Sequence, residues 1–377
     1  EPRMSDVVGI EKITDRAGTG APDFTNGFNV AGSDSGISGF AHTESANEPS
    51  SPSNGDAWLD TDNNIYKVYI DGEWKDWLGT SASPFSWGGD RGFSMGGGTG
   101  YTNKIERFDI TTSGNAVDFA DLLTSVYGVG TASNASRILV ASGYDGSNQK
   151  QGIDYYASAT ASNAADFGDL TAARATLGGH GDGTYGIFAG GSNVSPPGPS
   201  NVIDRVTIGS LGNATDFGDL LAAGSYASSG GDATRAVFAG AGNTNVIQYV
   251  TTANPGNATD FGDMALTSNS RYKGECAGAL RTLFAGGYAG GYHNTIDFIT
   301  PATTGNSTDF GDLTAQKLSG SSTSNGTYGT FMGGQNSSGN NINVIERVTL
   351  GTAGNAVDHG DLTGLSYNNG GSSGAAS

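Results

Sequence analysis

The chain has a single cysteine, Cys276, so an internal disulfide framework is excluded, and thiol usage says nothing of its redox compartment. Basic residues are scarce: 18 Lys and Arg stand against 37 Asp and Glu, a formal charge of −19. Nucleic-acid affinity rests on clustered Lys and Arg facing phosphates, so DNA and RNA are excluded as partners on charge grounds. The longest apolar runs, such as Arg137-Ile-Leu-Val-Ala141 and Gly186-Ile-Phe-Ala189, span four or five residues. A membrane helix needs about 20, so the expectation is a soluble protein without membrane insertion. Histidine is limited to His42, His180, His293 and His359, and Cys276 has no neighbouring His. No Ser-His-Asp order, metal-binding His pair or isolated carboxylate dyad emerges, so the chain reads as a non-enzyme with no catalytic residues, metal or cofactor. Against these shortages stands glycine, 63 of 377 residues, without the Gly-X-Y period of collagen.

The glycine belongs to a repeat. One phrase occurs six times: Ala116-Val-Asp-Phe-Ala-Asp-Leu122, Ala164-Ala-Asp-Phe-Gly-Asp-Leu170, Ala214-Thr-Asp-Phe-Gly-Asp-Leu220, Ala258-Thr-Asp-Phe-Gly-Asp-Met264, Ser307-Thr-Asp-Phe-Gly-Asp-Leu313 and Ala356-Val-Asp-His-Gly-Asp-Leu362. Their first Asp residues, 118, 166, 216, 260, 309 and 358, are 48, 50, 44, 49 and 49 apart. A period near 49 suits a propeller blade or a pair of helices, and the residue types decide. Gly, Ser, Thr, Asn and β-branched residues fill the unit, whereas helix formers at 3.6-residue spacing are missing. Upstream of each phrase comes an apolar segment ending in glycines, such as Ile187-Phe-Ala-Gly-Gly191, and then an alternating one, such as Val202-Ile-Asp-Arg-Val-Thr-Ile208. A Gly-Asn turn (Gly212-Asn213, Gly305-Asn306) leads into the phrase, and a Gly/Ser-rich stretch follows it, giving four strands per unit.

This order of segments resembles kelch repeats over roughly residues 85–377. The fold class expected is all-β: a six-bladed kelch-like β-propeller over 81–377, preceded by an N-terminal attachment arm (1–50) and a small aromatic β-meander (51–80). The first unit lacks its first strand, while Leu365-Ser-Tyr-Asn-Asn369 through Ser377 reads as a first strand without followers. The C-terminal strand should therefore close the ring on the first blade, leaving no long free edge. In the repeated phrase, each Phe is expected to pack between blades and the Asp side chains to cap turns. A ring of calcium sites is the rival reading. The phrases hold twelve of the 37 acids, so much of the negative charge is architectural.

In the meander, Asp62-Asn-Asn64 and Asp71-Gly72 read as hairpin turns, with Trp58, Tyr66, Tyr69, Trp74 and Trp77 as a small aromatic core. The stretch Gly55-Asp-Ala-Trp-Leu-Asp-Thr61 to Asp71-Gly-Glu-Trp74 resembles a small module of bacteriophage tail-fibre and other virion appendage proteins. That resemblance implies a virion location, an arm held by other virion proteins, and a homo-oligomer, by analogy a trimer. The loops between second and third strands differ most from unit to unit, and their Tyr, Asn, Gly and Ser suit adaptable contacts. They nominate Tyr144, Asn148, Asn193, Tyr288, Tyr292, His293 and Asn336 as ligand-face residues, with host surface polysaccharide as the ligand. The alternatives are a capsid or neck decoration protein without a receptor role and a propeller glycan hydrolase.

Overall fold

Each repeat unit places an apolar segment, an alternating segment and the Asp-Phe-Gly-Asp phrase in succession, separated by turns too short for anything but antiparallel pairing. The computed structural model forms these into strands. It describes residues 42–45, 49–53, 56–60, 65–70, 73–76 and 89–375, the last range without 99, 195–196, 243, 266–273, 278–280 and 319. Two units result, 1–81 and 82–377. Among the described residues every regular element is a strand, and no helix is long and apolar enough to cross a membrane.

The second unit is a six-bladed β-propeller. Its second blade consists of Gly130–Ser133, Arg137–Ala141, Lys150–Ala157 and Ala165–Ala175, paired in that order from the innermost strand outward. Blades three to six repeat the arrangement, starting on the inner strands Gly178–Gly181, Ser228–Gly231, Gly274–Ala277 and Ser321–Ser324. The first blade takes its inner strand from the C-terminus: Gly370–Gly374 pairs antiparallel with Arg91–Met95, which continues to Thr102–Asp109 and Val117–Val126. The ring is thus closed by the C-terminal strand, as its sequence indicates. Apolar residues of adjacent blades share a core; Ile153, Phe167 and Leu177 of the second pack with Phe188 and Val206 of the third.

Three hydrogen-bonding devices recur between neighbouring blades. In the first, the phrase of one blade binds the turn of the next: the main-chain N–H of its second Asp donates to an Asn Oδ1. The pairs Asp121–Asn163, Asp169–Asn213, Asp219–Asn257, Asp263–Asn306, Asp312–Asn355 and Asp361–Asn115 all measure 3.0 or 3.1 Å. This corrects the expected role of the phrase carboxylates. They cap no turn among the described residues, and the first Asp of each phrase is exposed. The capping carboxylates are others, such as Asp109, Asp182 and Asp232. The Phe expectation holds for Phe167, Phe217, Phe261 and Phe310, each 3% exposed, while Phe119 is half-buried against its core cluster.

The glycine of the phrase is there for contact. Gly168, Gly218, Gly262, Gly311 and Gly360 have φ of +146° to +153°, and a Cβ at each would lie 2.2–2.5 Å from a carbonyl oxygen of the next blade's turn. The first phrase has Ala120 instead, and it faces the one partner turn that reads Ser162-Asn163 rather than Gly-Asn. His359 replaces the repeat Phe in the sixth blade, is 2% exposed, and places Nε2 2.7 Å from the Asp109 carbonyl. Burial holds its pKa below the usual imidazole value.

The second device uses arginine. Arg91, Arg137, Arg205, Arg235, Arg281 and Arg347 each donate to carbonyls of the following blade, at Ser158, Ile208, Thr252, Pro301, Leu350 and Ile110 respectively. Five of them also lie over rings, for example Arg205 at 4.5 Å from the Tyr185 centroid. Six of the 18 basic residues are therefore committed to the scaffold.

The third device is a side-chain acceptor on the third strand, buried in four cases and half-buried at Asp154, which receives the main-chain N–H of the residue after the preceding blade's phrase. Asp154 accepts from Leu123 (2.9 Å), Asp204 from Thr171 (3.1 Å), Gln248 from Leu221 (2.7 Å), Glu346 from Thr314 (2.6 Å) and Glu106 from Thr363 (3.0 Å). Asp204 is paired with Arg174 at 2.7 Å, both side chains fully buried, and Glu346 with the buried Lys317. Asp154 has no such cation, and burial raises its pKa. A raised carboxyl pKa means that the folded state binds the proton more tightly, so stability is lost as pH rises through the folded pKa. Asp154→Asn keeps an acceptor for Leu123 and removes the half-buried charge. We expect its Tm at pH 7 to rise by roughly 2 °C, a sub-kcal change for a domain of this size. Calorimetry at descending pH should show the gain vanish once Asp154 is itself protonated.

In the first unit, Ala57–Asp60, Ile65–Ile70 and Glu73–Asp76 form an antiparallel meander, and His42–Ser45 adds a parallel strand beside Ala57–Asp60. The sheet thus reaches back into the segment read as the arm. Trp58 and Tyr69 pack edge-on against Trp74, with centroids 5.5 and 5.3 Å away. Residues 1–41 of the arm, the turns 62–64 and 71–72, Trp77 and the side chains of Tyr66 and Cys276 lie outside the described residues.

Candidate ligand-binding face

Closing each blade back onto its neighbour brings the loop between second and third strands against the connector that leaves the preceding blade. Tyr144 exchanges main-chain hydrogen bonds with Tyr127 at 2.9 and 3.1 Å. Ser192–Val194 pairs with Arg174 and Ala175, and Gln335–Asn336 with Lys317 and Leu318. Loops and connectors therefore share one face.

Two clusters form on that face, at blade seams that are not adjacent in the six-membered ring. At the first and second blades, Tyr101 stacks on Tyr127 with centroids 5.5 Å apart and planes 27° apart. Tyr144 meets both rings edge-on, at 5.9 and 5.7 Å. Tyr101 is 39% exposed and has φ +60°, a conformation costly for an aromatic residue, which holds its ring at the surface. Burial, reinforced by Tyr226, Tyr101 and Tyr144, raises the pKa of the Tyr127 phenol and keeps it a neutral donor. Beside them, Asp145 accepts from the N–H groups of Ser147 and Asn148 and pairs with Lys150. The Lys150 hydrogen bond, ahead of those two, lowers the Asp145 pKa to about 2. Asn148 is exposed at the tip.

At the fifth and sixth blades, Tyr288, 39% exposed, meets Tyr292 edge-on at 5.6 Å. The Tyr292 hydroxyl donates to Gln335 at 3.2 Å, tying this loop to the one that carries Asn336. Asn336 Oδ1 accepts from Ser338 and Asn340, so it shapes its own turn. His293 lies 3.3 Å from the Ala289 carbonyl and serves its loop in the same way. Asn193 sits in a third place, on the hairpin that Ser192–Val194 makes with Pro197–Pro199. The seven nominated residues thus occupy three places.

Sequence reasoning missed Tyr101 and Tyr127. Tyr101 ends the Gly96-Gly-Gly-Thr-Gly-Tyr101 loop of the first unit, the equivalent of the variable loops of the other units, and that equivalence was the available signal. Tyr127 lies in a connector, where no local pattern marks it.

The centre of the ring is of different character. A cavity of ≈ 160 Å³ is lined by the inner strands, chiefly Gly, Ser and Thr with His180 and Asn369. His180 is buried with Nε2 3.2 Å from the Asp232 carbonyl, and burial lowers its pKa. Among the described residues no three His, Cys, Asp or Glu are grouped to hold a metal ion.

No protein-family model matches the chain, and no curated protein matches it.

Proposed function

We propose that this protein is a virion appendage subunit whose propeller binds surface carbohydrate without cleaving it. The observation that carries the binding part is the Tyr101–Tyr127–Tyr144 platform, an exposed ring presented by two buttressing rings and edged by Asp, Asn and Ser. A flat aromatic face accepts the apolar face of a sugar ring while neighbouring polar groups satisfy its hydroxyls. The virion part rests on the resemblance of the meander to appendage modules. Weak sites of this kind become effective adhesins when several copies act together through effective concentration.

The test is binding of the full chain to a glycan array and to host cells. Tyr101→Ala is expected to weaken the best array signal at least tenfold, about 1.4 kcal/mol. Tyr288→Ala, in the other cluster, should leave that signal unchanged. Absence of any glycan binding, or a Tyr101→Ala protein that binds as well as the parent, would sink the adhesin reading in favour of a decoration role. Shortening of a polysaccharide by the purified protein would replace it with the hydrolase reading.

A further inference from the structure

The five acceptors of the third strands allow a comparison inside one molecule. Opposite each stands the residue three positions after the one that donates to it. Main-chain bonding establishes the equivalence: the carbonyls of Val126, Arg174, Gly224, Lys317 and Ser366 accept from Gly97, Gly143, Gly191, Gly287 and Gly334, the second of the paired residues ending each apolar strand. Arg174 faces the carboxylate Asp204, and Lys317 the carboxylate Glu346. Gly224 stands where the acceptor is the neutral Gln248, which needs no cation. Val126 stands opposite Asp154, whose charge is disfavoured by burial. Ser366 stands opposite Glu106, and here the pattern leaves a carboxylate and no cation.

Glu106 is 6% exposed, and its Oε1 accepts from both the N–H and the hydroxyl of Thr363. Among the described residues no basic side chain pairs with it; Lys104, two residues away, is exposed. Where Arg174 or Lys317 fills the equivalent volume, this interface has a cavity of ≈ 210 Å³, several times the roughly 30 Å³ share of one water molecule. Its lining includes Gly96, Lys104, Glu106, Thr363 and Ser366. The acceptors that hold the Arg174 guanidinium have counterparts here. Arg174 donates to the carbonyls of Gly190 and Val202 at 3.1 and 2.7 Å and to Asp204. Gly190 donates to Val202 as Gly96 donates to Lys104, so Gly96, Lys104 and Glu106 are the matching residues.

We propose that the cavity between the sixth and first blades binds an organic monocation with a guanidinium or primary ammonium head, with Glu106 as its counter-ion. The ligand takes the place that a side chain of the chain itself takes at two other interfaces. A buried carboxylate gains most from a partner that donates N–H groups and supplies opposite charge together. Tyr101 lines this cavity as well as the carbohydrate platform, so the two readings are told apart by Glu106 and Ser366, which line the cavity and are not part of the platform.

The experiment titrates the full chain with propylguanidinium and propylammonium chloride, against tetramethylammonium chloride as a cation without N–H groups, reading ligand-detected NMR and Tm. The parent protein should respond saturably to at least one of the first two and rise in Tm with its concentration. Glu106→Gln should weaken that response at least tenfold. Gln248 already occupies the equivalent position in the fourth blade, so the variant retains the acceptor that Thr363 needs. Ser366→Lys should abolish the response and raise the ligand-free Tm by a few degrees, because it rebuilds the Lys317 arrangement. Equal responses to all three salts, no saturable response in the parent, or undiminished binding by either variant would overturn the proposal.

Discussion

Arg174→Met is expected to cost about 3–5 kcal/mol of stability, because it strands a fully buried carboxylate. Asp204 would keep its hydrogen bonds from Thr171 but lose the Arg174 guanidinium, in a place that excludes water from both partners. The carbonyls of Gly190 and Val202 would lose their arginine donor as well. Urea unfolding should show a lower midpoint with an unchanged slope. The double variant Arg174→Met with Asp204→Asn should recover most of the loss, since Asn still accepts from Thr171 and carries no charge. A double variant as unstable as the single one would mean that arginine acts through packing alone, and the coupling energy from the full cycle would then be near zero. The same logic makes the wild-type interface between the sixth and first blades informative, because there the chain tolerates the carboxylate without an internal cation.

Removal of residues 370–377 is expected to abolish the single cooperative transition of the propeller, or to lower its Tm by roughly 10 °C or more. That strand supplies the inner edge of the first blade, pairing from Gly370 with Met95 to Gly374 with Arg91. Without it Arg91–Met95 becomes a free edge, and Phe93 and Met95, both wholly buried, meet solvent. Asn369 shows the same coupling at the level of single atoms. Its amide donates to Ser94 of the first blade and to Ser321 of the sixth, both at 2.7 Å, so one residue before the strand already bridges the closure. In a ring of near-identical units each blade contacts only its neighbours, so opening one seam removes the constraint that makes unfolding all-or-none. Differential scanning calorimetry and limited proteolysis would record the change. A truncated chain that melts in one transition near the parent Tm would refute the account.

Much of this architecture is legible in the residues. The 49-residue period fixes the blade count, the alternation in segments such as Val202-Ile-Asp-Arg-Val-Thr-Ile208 fixes the third strand, and an unpaired first strand at the C-terminus fixes the closure. These are local or strictly repeated signals, which survive without knowledge of distant partners. The repeated Asp residues show the limit. Type and spacing suggested capping carboxylates, yet the phrase works through its main chain and its glycine, and the side-chain acceptor is the Asn of the following unit. A hydrogen bond from a main-chain N–H leaves no mark on the residue that donates it.

The ligand face divides in the same way. Variable loops rich in Tyr and Asn stand out against a constant repeat, so Tyr144 and Tyr288 could be nominated from letters alone. That Tyr101 and Tyr127, 26 positions apart in the chain, stack on one another and flank Tyr144 could not, since it depends on the first blade's connector crossing to the second blade's loop. The sequence by itself determined a six-unit β architecture, its seam and its excess of acidic over basic residues, because periodicity, strand alternation and composition are properties of the chain. Which carboxylate has a cation, which has a cavity and which rings meet were decided only by the tertiary structure. Those are distances between residues tens to hundreds of positions apart, set by how one blade seats against the next.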